Sequence, residues 1–304
     1  MNGWLITNGF LKIPKFNDIY DRLISAASRE GCELKLITNT DIIARIDKAG
    51  NLTADPAAGW PDFIIFWDKD IRLARSLEAQ GLRLYNRAGA IEACDDKSLT
   101  IRLLSGLVRM PETYCIPFTY DLQGYSDTGF LDIIADRLGY PFVLKECFGS
   151  FGEQVHLINS WEESEAVLKS CGGRPCIIQE YIKGPWKGSR DIRINVVGNR
   201  CVASMMRINE DDFRANITNG GRMEPYTPTK EECGMALTVC KKLGLDFAGV
   251  DIMFDENHEP VFCEANSNAH FKSIYDCTGV DVAAEIIKHI ISDRTLNGGT
   301  GNGR

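Results

Sequence analysis

The chain has 304 residues with 34 Lys and Arg against 42 Asp and Glu, a formal net charge of −8 that disfavours nucleic acid as main partner and a length that suits two or three domains. No run of 18 apolar residues occurs and MNGWLITNGF lacks the basic start of an export signal, so the expectation is a protein that neither spans a membrane nor is exported. The 11 cysteines are odd in number and scattered, with no CxxC, which points to reduced thiols in the cytoplasm rather than a disulfide or zinc framework.

Residues 3–8 read as a buried strand. A helix over 17–30 follows, with Ile19, Leu23, Ile24 and Ala27 on one face and Gly31 as its stop. Further strands are expected at 33–38, 62–67 and 82–85, and Asp70 caps a helix carrying Leu73, Ala74 and Leu77. Strands alternating with helices imply a parallel sheet, whose ligands gather at the carboxyl ends of the strands. Thr7, Asn8, Asn39 and the Asp68-Lys69-Asp70 turn stand there, with helix capping as the preferred role for Asp70.

Residues 86–108 carry a helical pattern through Leu99, Leu103, Leu104 and Leu107, and Asp95-Asp96-Lys97 lies just ahead of a helix start at Ser98. Pro111 and Pro117 mark a connector, and 124–129 another. A compact α+β unit comes next: a helix to about 138, strands at 142–147 and 153–158, a helix opened by the capping box Ser160 to Glu163, and a strand at 175–182. Between the first two of those strands lies FGSFG, residues 148–152. Glycines there let backbone N–H groups approach anionic oxygens, and Lys145 adds a point charge on the entering strand; an ordinary turn and a solvated lysine are the alternatives.

A hairpin is expected around Gly198-Asn199, then a polar loop over 211–222 with Arg214, Asn216 and Arg222. A second capping box, Thr229 to Glu232, opens a helix stopped by Gly244. Two strands follow, 247–254 and 260–266, joined by a four-residue loop, 256–259. With 255 opposite 260, Asp251 falls opposite Glu264, and Asp251, Glu264 and Asn266 share a face. Facing carboxylates repel unless a cation lies between them, so the three oxygens suggest a magnesium site, against a solvated acidic face. A helix over 281–291 and a Gly- and Asn-rich, disordered tail at 296–304 end the chain.

Taken in order, IEACDDKSLT (91–100), PFVLKECFGSFGEQV (141–155), IIQEYI (177–182), DIRINVVG (191–198), DDFRANITNGG (211–221) and the late EAN resemble the ATP-grasp superfamily, and within it the RimK-type α-L-glutamate ligases. The resemblance covers roughly 86–292. It implies an ATP-grasp fold of α/β and α+β parts, with a Rossmann-like pre-ATP-grasp domain at 1–96, a small lid subdomain at 97–182 and a large subdomain at 183–295. Lys97, Lys145 and the loop Gly149, Ser150, Phe151, Gly152 would meet ATP phosphates. Glu180, Tyr181 and Ile182 would form the adenine hinge. Asp191 and Ala215 would lie near the nucleotide, and Arg214 with Asn216 at the reacting phosphate, Arg214 as the catalytic group. Asp251, Glu264 and Asn266 would ligate Mg²⁺ or Mn²⁺.

The implied activity is ATP-dependent amide formation through an acylphosphate, adding a glutamate-like amino acid to a carboxylate or peptide. The competing classes are an ATP-grasp kinase acting on a hydroxyl and a nucleotide-binding module without turnover; a homo-oligomer is allowed. Arg193 and Arg207 match basic substrate positions of the family, with a structural ion pair as the alternative for each. After the last metal ligand the family runs small-small-Pro-Gly, whereas this chain reads Ser267-Asn268-Ala269-His270-Phe271, which puts Asn268 and His270 forward as substrate contacts.

Overall fold

The computed structural model describes residues 1–54, 59–149, 152–215 and 220–297. Strand and helix alternate at the start: β1 (Asn2–Thr7), α1 (Asn17–Arg29), β2 (Glu33–Thr38), a small hairpin of β3 (Ala44–Ile46) and β4 (Leu52–Ala54), β5 (Phe63–Trp67), α2 (Ile71–Ala79) and β6 (Leu84–Tyr85). A parallel sheet runs β2-β1-β5-β6. Its strand β5, FIIFW, is buried throughout, as a parallel strand covered on both faces must be. On one face lie Ile19, Leu23 and Ala27 of α1, and on the other Leu73, Ala74 and Leu77 of α2. The β3–β4 hairpin has no counterpart in the sequence reading.

Residues 88–104 form two helices, α3 (Ala88–Asp95) and α4 (Lys97–Leu104). Asp96 makes the break: its backbone is extended, and its carboxylate accepts from the amides of Ser98 at 2.9 Å and Leu99 at 3.3 Å as an N-cap. Lys97 is thereby fixed in the first turn of α4.

The middle unit comprises β7 (Thr113–Cys115), α5 (Phe130–Leu138), β8 (Phe142–Glu146), β9 (Val155–Ile158), α6 (Trp161–Ser170) and β10 (Cys176–Glu180). Its antiparallel sheet runs β7-β10-β8-β9, and β7 stands where the prolines suggested only a connector. Leu131, Ile134 and Leu168 of the two helices pack on Phe142, Leu144 and Ile178. Only half of the expected box at α6 forms: Ser160 Oγ accepts from the Glu163 amide, but Glu163 turns to the amide of Asn159.

The last unit holds β11 (Ser189–Val197), β12 (Arg200–Asn209), β13 (Arg222–Pro225), α7 (Lys230–Leu243), β14 (Phe247–Phe254), β15 (Pro260–Asn266), α8 (Lys272–Thr278) and α9 (Val282–Asn297). Its antiparallel sheet runs β13-β12-β11-β14-β15. The complete capping box of Thr229 and Glu232 starts α7, and left-handed Gly244 (φ 73°) ends it. Ala236, Val239 and Leu243 of α7 bury Ile192, Ile194, Val250 and Ile252, the apolar face of the sheet. Val282, Ile286 and Ile290 of α9 share a core with Ile19 and Leu23, joining the last unit to the first. Helix α9 continues past the expected stop and two residues into the expected tail; 298–304 lie outside the described residues.

The hairpin of β14 and β15 departs from the four-residue loop. Phe254 pairs with Pro260, so the loop spans five residues, and a register shift after Asp251 absorbs the difference. Asp251 still faces Glu264. Because the shift falls between Asp251 and Ile252, Phe262 rather than Cys263 pairs with Ile252 and joins the core.

Candidate active site

The polar face of the five-stranded sheet is ordered by register. Met205, Arg193, Asp251 and Glu264 stand side by side across β12, β11, β14 and β15, and Asp191 stands opposite Arg207 in the adjacent row. Opposite charges placed directly across strands attract, and here they pair in full. Arg193 holds Asp251 through two bonds of 2.7 Å, Arg207 holds Asp191 through two of 2.6 Å, and Arg207 also reaches Asp251 at 3.0 Å. Asp251 is buried, yet two guanidinium groups hold its carboxyl below the usual range. Burial pushes Asp191 up against the pull of Arg207, and the nearby Asp251 charge adds to the rise. Gly249 leaves room for this packing: a Cβ there would stand 2.6 Å from Cβ of Ala269 and 3.5 Å from Cδ of Arg193.

Glu264, the last member of the row, has no hydrogen bond or ion pair among the described residues. It lines two cavities at once. The first is a cleft between the middle sheet and the last one, lined by Lys97, Lys145, Gly149, Gly152, Arg214 and Ala215, and also by Glu180, Tyr181, Ile182 and Asp191. Lys97 Nζ donates to the carbonyls of Cys147 at 3.4 Å and Gly149 at 3.5 Å, which positions it under the glycine-bearing loop. Arg214 is held by Asp212 at 2.8 Å and donates to the carbonyl of Gly152 at 2.9 Å, tying the same loop to the segment after β12. The side chain of Glu180 accepts from the amide of Glu112 at 3.3 Å, so its carboxylate is turned to the connector. Ser150, Phe151 and Asn216 lie outside the described residues. Met253 and Phe262 also line the cleft, and sequence reading missed both.

The second cavity, about 760 Å³, lies between the last sheet and the carboxyl ends of β1 and β5. Arg193, Arg207, Asn266, Asn268 and His270 line it, as do Asn8, Asp68 and Lys69 from the parallel sheet. Asp70, by contrast, accepts from the Leu73 amide at 3.0 Å as a helix cap. Burial, Lys15 and Arg193 push His270 down to about 4, and its ring packs on Phe16 at 4.7 Å between centroids. Aromatic residues sequence reading did not single out, Phe10, Phe16, Tyr20 and Trp67, complete the wall. Only Phe10 and Trp67, near the carboxyl ends of β1 and β5, had places that could have marked them.

A sequence profile of the RimK-like ATP-grasp domain matches residues 95–290, the span that builds the cleft and both sheets around it. The chain belongs to the RimK-like ATP-grasp family. This family is one of ATP-dependent carboxylate–amine ligases, which makes the protein an enzyme forming carbon–nitrogen bonds. An uncharacterized protein of Mycoplasma pneumoniae, the MG012 homolog, is 30% identical over 259 residues, 84% of this chain and 89% of that protein. A probable alpha-L-glutamate ligase of Thioalkalivibrio sulfidiphilus is 32% identical over 220 residues, 71% of this chain and 69% of that one. The D-alanine–D-alanine ligase of Bacillus anthracis solved with ATP superimposes with a TM-score of 0.70 over 99% of this chain and 100% of that chain, at 18% identity, a likeness of ATP-grasp fold.

The divalent ion that RimK-like ATP-grasp membership implies can be weighed against the three expected ligands. Glu264 offers an open carboxylate and Asn266 an amide at the same cavity edge, hard donors suited to Mg²⁺. Asp251 lines neither cavity, and both its oxygens accept from Arg193. The residues therefore fit an ion held by Glu264 and Asn266, with Asp251 serving Arg193 and Arg207 as arranged. No helix among the described residues is long and apolar enough to cross a membrane, and all eleven cysteines are free thiols.

Proposed function

We propose that the protein joins an amino acid to a carboxylate or peptide through an acylphosphate, with ATP in the cleft and the amine in the second cavity. The observation that carries this reading is Glu264, an unpaired carboxylate lining the cleft and the cavity together. In the reaction the γ-phosphoryl of ATP passes to a carboxylate oxygen and ADP leaves. The amine then attacks the acyl carbon, the C–N bond forms, and phosphate departs as the nitrogen gives up a proton.

Little covalent help is asked of the protein. Lys97 and Lys145 neutralise phosphate oxygens, and Arg214, held in place by Asp212, stabilises the acylphosphate and the tetrahedral oxyanion. The backbone of Glu180, Tyr181 and Ile182 serves the adenine edge, with Met253 and Phe262 as its apolar bed. Glu264 and Asn266 would hold Mg²⁺, or Mn²⁺ in its place, which when bound neutralises charge on the triphosphate. Holding carboxylate, phosphate and amine in line is worth on the order of 7 to 11 kcal/mol. An acylphosphate hydrolyses, so the loop around Gly149 and Gly152 must exclude water, and the Arg214 bond to Gly152 favours its closed position. A chain of reduced thiols working on ATP fits a cytoplasmic place.

ADP release measured against panels of amino acids, small carboxylates and polyols tests the reading. Stimulation by an amine and a carboxylate together supports a ligase; stimulation by a polyol alone would make it a kinase, and by nothing a binding module.

A further inference from the structure

The second cavity contains a buried carboxylate that no ion pair among the described residues balances. Asp68, at the carboxyl end of β5, is 8% exposed, and it accepts from the Lys69 amide at 2.7 Å and from Asn8 Nδ2 at 3.2 Å. It forms no ion pair among the described residues. The cations that share the cavity are engaged: Lys69 with Asp95, Arg193 with Asp251, Arg207 with Asp191 and Lys272 with Asp276, while Lys15 lies over the Phe16 ring. A buried carboxylate without a counter-ion costs stability, and a ligand ammonium removes that cost. Burial raises the Asp68 carboxyl above its ordinary range, which is the strain an incoming cation relieves.

The surrounding wall is apolar. Phe10, Leu11 and Ile13, on the loop after β1, line the cavity at 78%, 39% and 44% exposure, and Phe16, Tyr20 and Trp67 lie deeper. Asn8 fastens loop and carboxylate together, since its Nδ2 reaches Asp68 and its Oδ1 accepts from the Phe10 amide at 3.0 Å. Asn268 Oδ1 and His270 Nε2, on residues lining the same cavity, are buried without a hydrogen-bond partner among the described residues. Unmet polar atoms beside an uncompensated carboxylate point to a ligand that completes them.

We propose that this cavity selects a primary amine with an apolar or aromatic body, Asp68 holding the ammonium and the Phe10, Leu11 and Ile13 loop covering the body. The proposal rests on the ligase reading, in which this cavity takes the amine. A glutamate side chain is disfavoured, because it brings a further carboxylate toward Asp68 where the arginines already serve Asp191 and Asp251.

Titration calorimetry on the full chain saturated with AMP-PNP and Mg²⁺ tests it, with L-phenylalaninamide, L-glutamate and 3-phenylpropionamide as probes. L-Phenylalaninamide is expected to bind at least about 10-fold tighter than the other two, and Asp68→Asn to weaken it at least about 10-fold while the AMP-PNP affinity holds within about 2-fold. Glutamate binding as tightly, indifference to Asp68→Asn, or AMP-PNP binding with no amine binding would each overturn the inference alone. Failure of AMP-PNP itself to bind would remove the ligase reading beneath it. Should Asp68→Asn not fold, the wild-type contrast between the amine and 3-phenylpropionamide, which lacks the ammonium, decides the matter.

Discussion

Replacing Asp251 with Ala removes the acceptor that Arg193 and Arg207 share. Arg193 loses both its 2.7 Å bonds and keeps no other carboxylate partner among the described residues, while Arg207 retains Asp191. The two guanidinium side chains are only 15% and 5% exposed, so water from the adjoining cavity makes up only part of the lost partner. Breaking a buried pair in this way costs about 3 to 5 kcal/mol. At about 2 to 4 °C per kcal/mol for a chain of this size, the melting temperature should fall by roughly 6 to 20 °C. Glu264→Ala is the matched control: with no partner to strand, it should move the melting temperature by about 1 °C or less. Calorimetry or circular dichroism reads both. The double variant lacking Arg193 and Asp251 should lose less than the two single losses summed, because the stranded charge leaves with its partner. Asp251 has a folded pKa below its unfolded value of about 3.9, so its stabilisation is present above that pH and is lost as pH falls through the folded value. The gap between wild type and Asp251→Ala should therefore narrow in acid. A variant melting within about 2 °C of wild type at neutral pH would refute the ion-pair reasoning.

Glu264→Gln should abolish ADP release while melting with the wild type, and retained turnover would contradict its place at the phosphates. Arg214→Ala should lower kcat by about 100-fold with a smaller change in the KM for ATP, and a change confined to KM would limit the residue to binding. Fully buried Asn86 donates to the carbonyls of Phe247 and Ser267 and accepts from the amides of Asp246 and Phe247, so Asn86→Ala strands four backbone groups. A loss of about 3 kcal/mol or more in denaturant unfolding is expected, and a loss under about 1 kcal/mol would show that water fills the gap. His270, pushed down to about 4, should show no titration between pH 6 and 8 by NMR, and its contribution to stability should decline as pH falls from about 6.5 toward 4, where the unfolded state binds the extra proton. A midpoint near 6.5 would mean that the ring is solvated.

Much of this architecture is legible in local chemistry. Capping residues such as Asp70 and Thr229, the turn at Gly198-Asn199 and the alternation along β11 each announce an element through hydrogen-bond needs or side-chain period. The facing of Asp251 and Glu264 is also readable, though by a different route: a longer loop and a register shift cancel, and no residue type marks that shift. What local pattern does not carry is which strands become neighbours. Only the pairing of β11 with β14 and β12 makes Arg193 and Arg207 the counter-ions of Asp251 and Asp191, so the carboxylate pair alone suggested a metal. The aromatic wall of the second cavity was hidden for the same reason. Phe10, Tyr20 and Trp67 come from a loop, a helix and a strand end, and nothing in their spacing joins them.

Crystals of the full chain grown with AMP-PNP and Mn²⁺ give the most direct measurement, because anomalous scattering locates the ion without reference to any activity. The account predicts a peak beside the Glu264 carboxylate and Asn266, with adenine against Glu180, Tyr181 and Ile182 and phosphates toward Lys97 and Lys145. An ion or nucleotide away from Glu264 would contradict it.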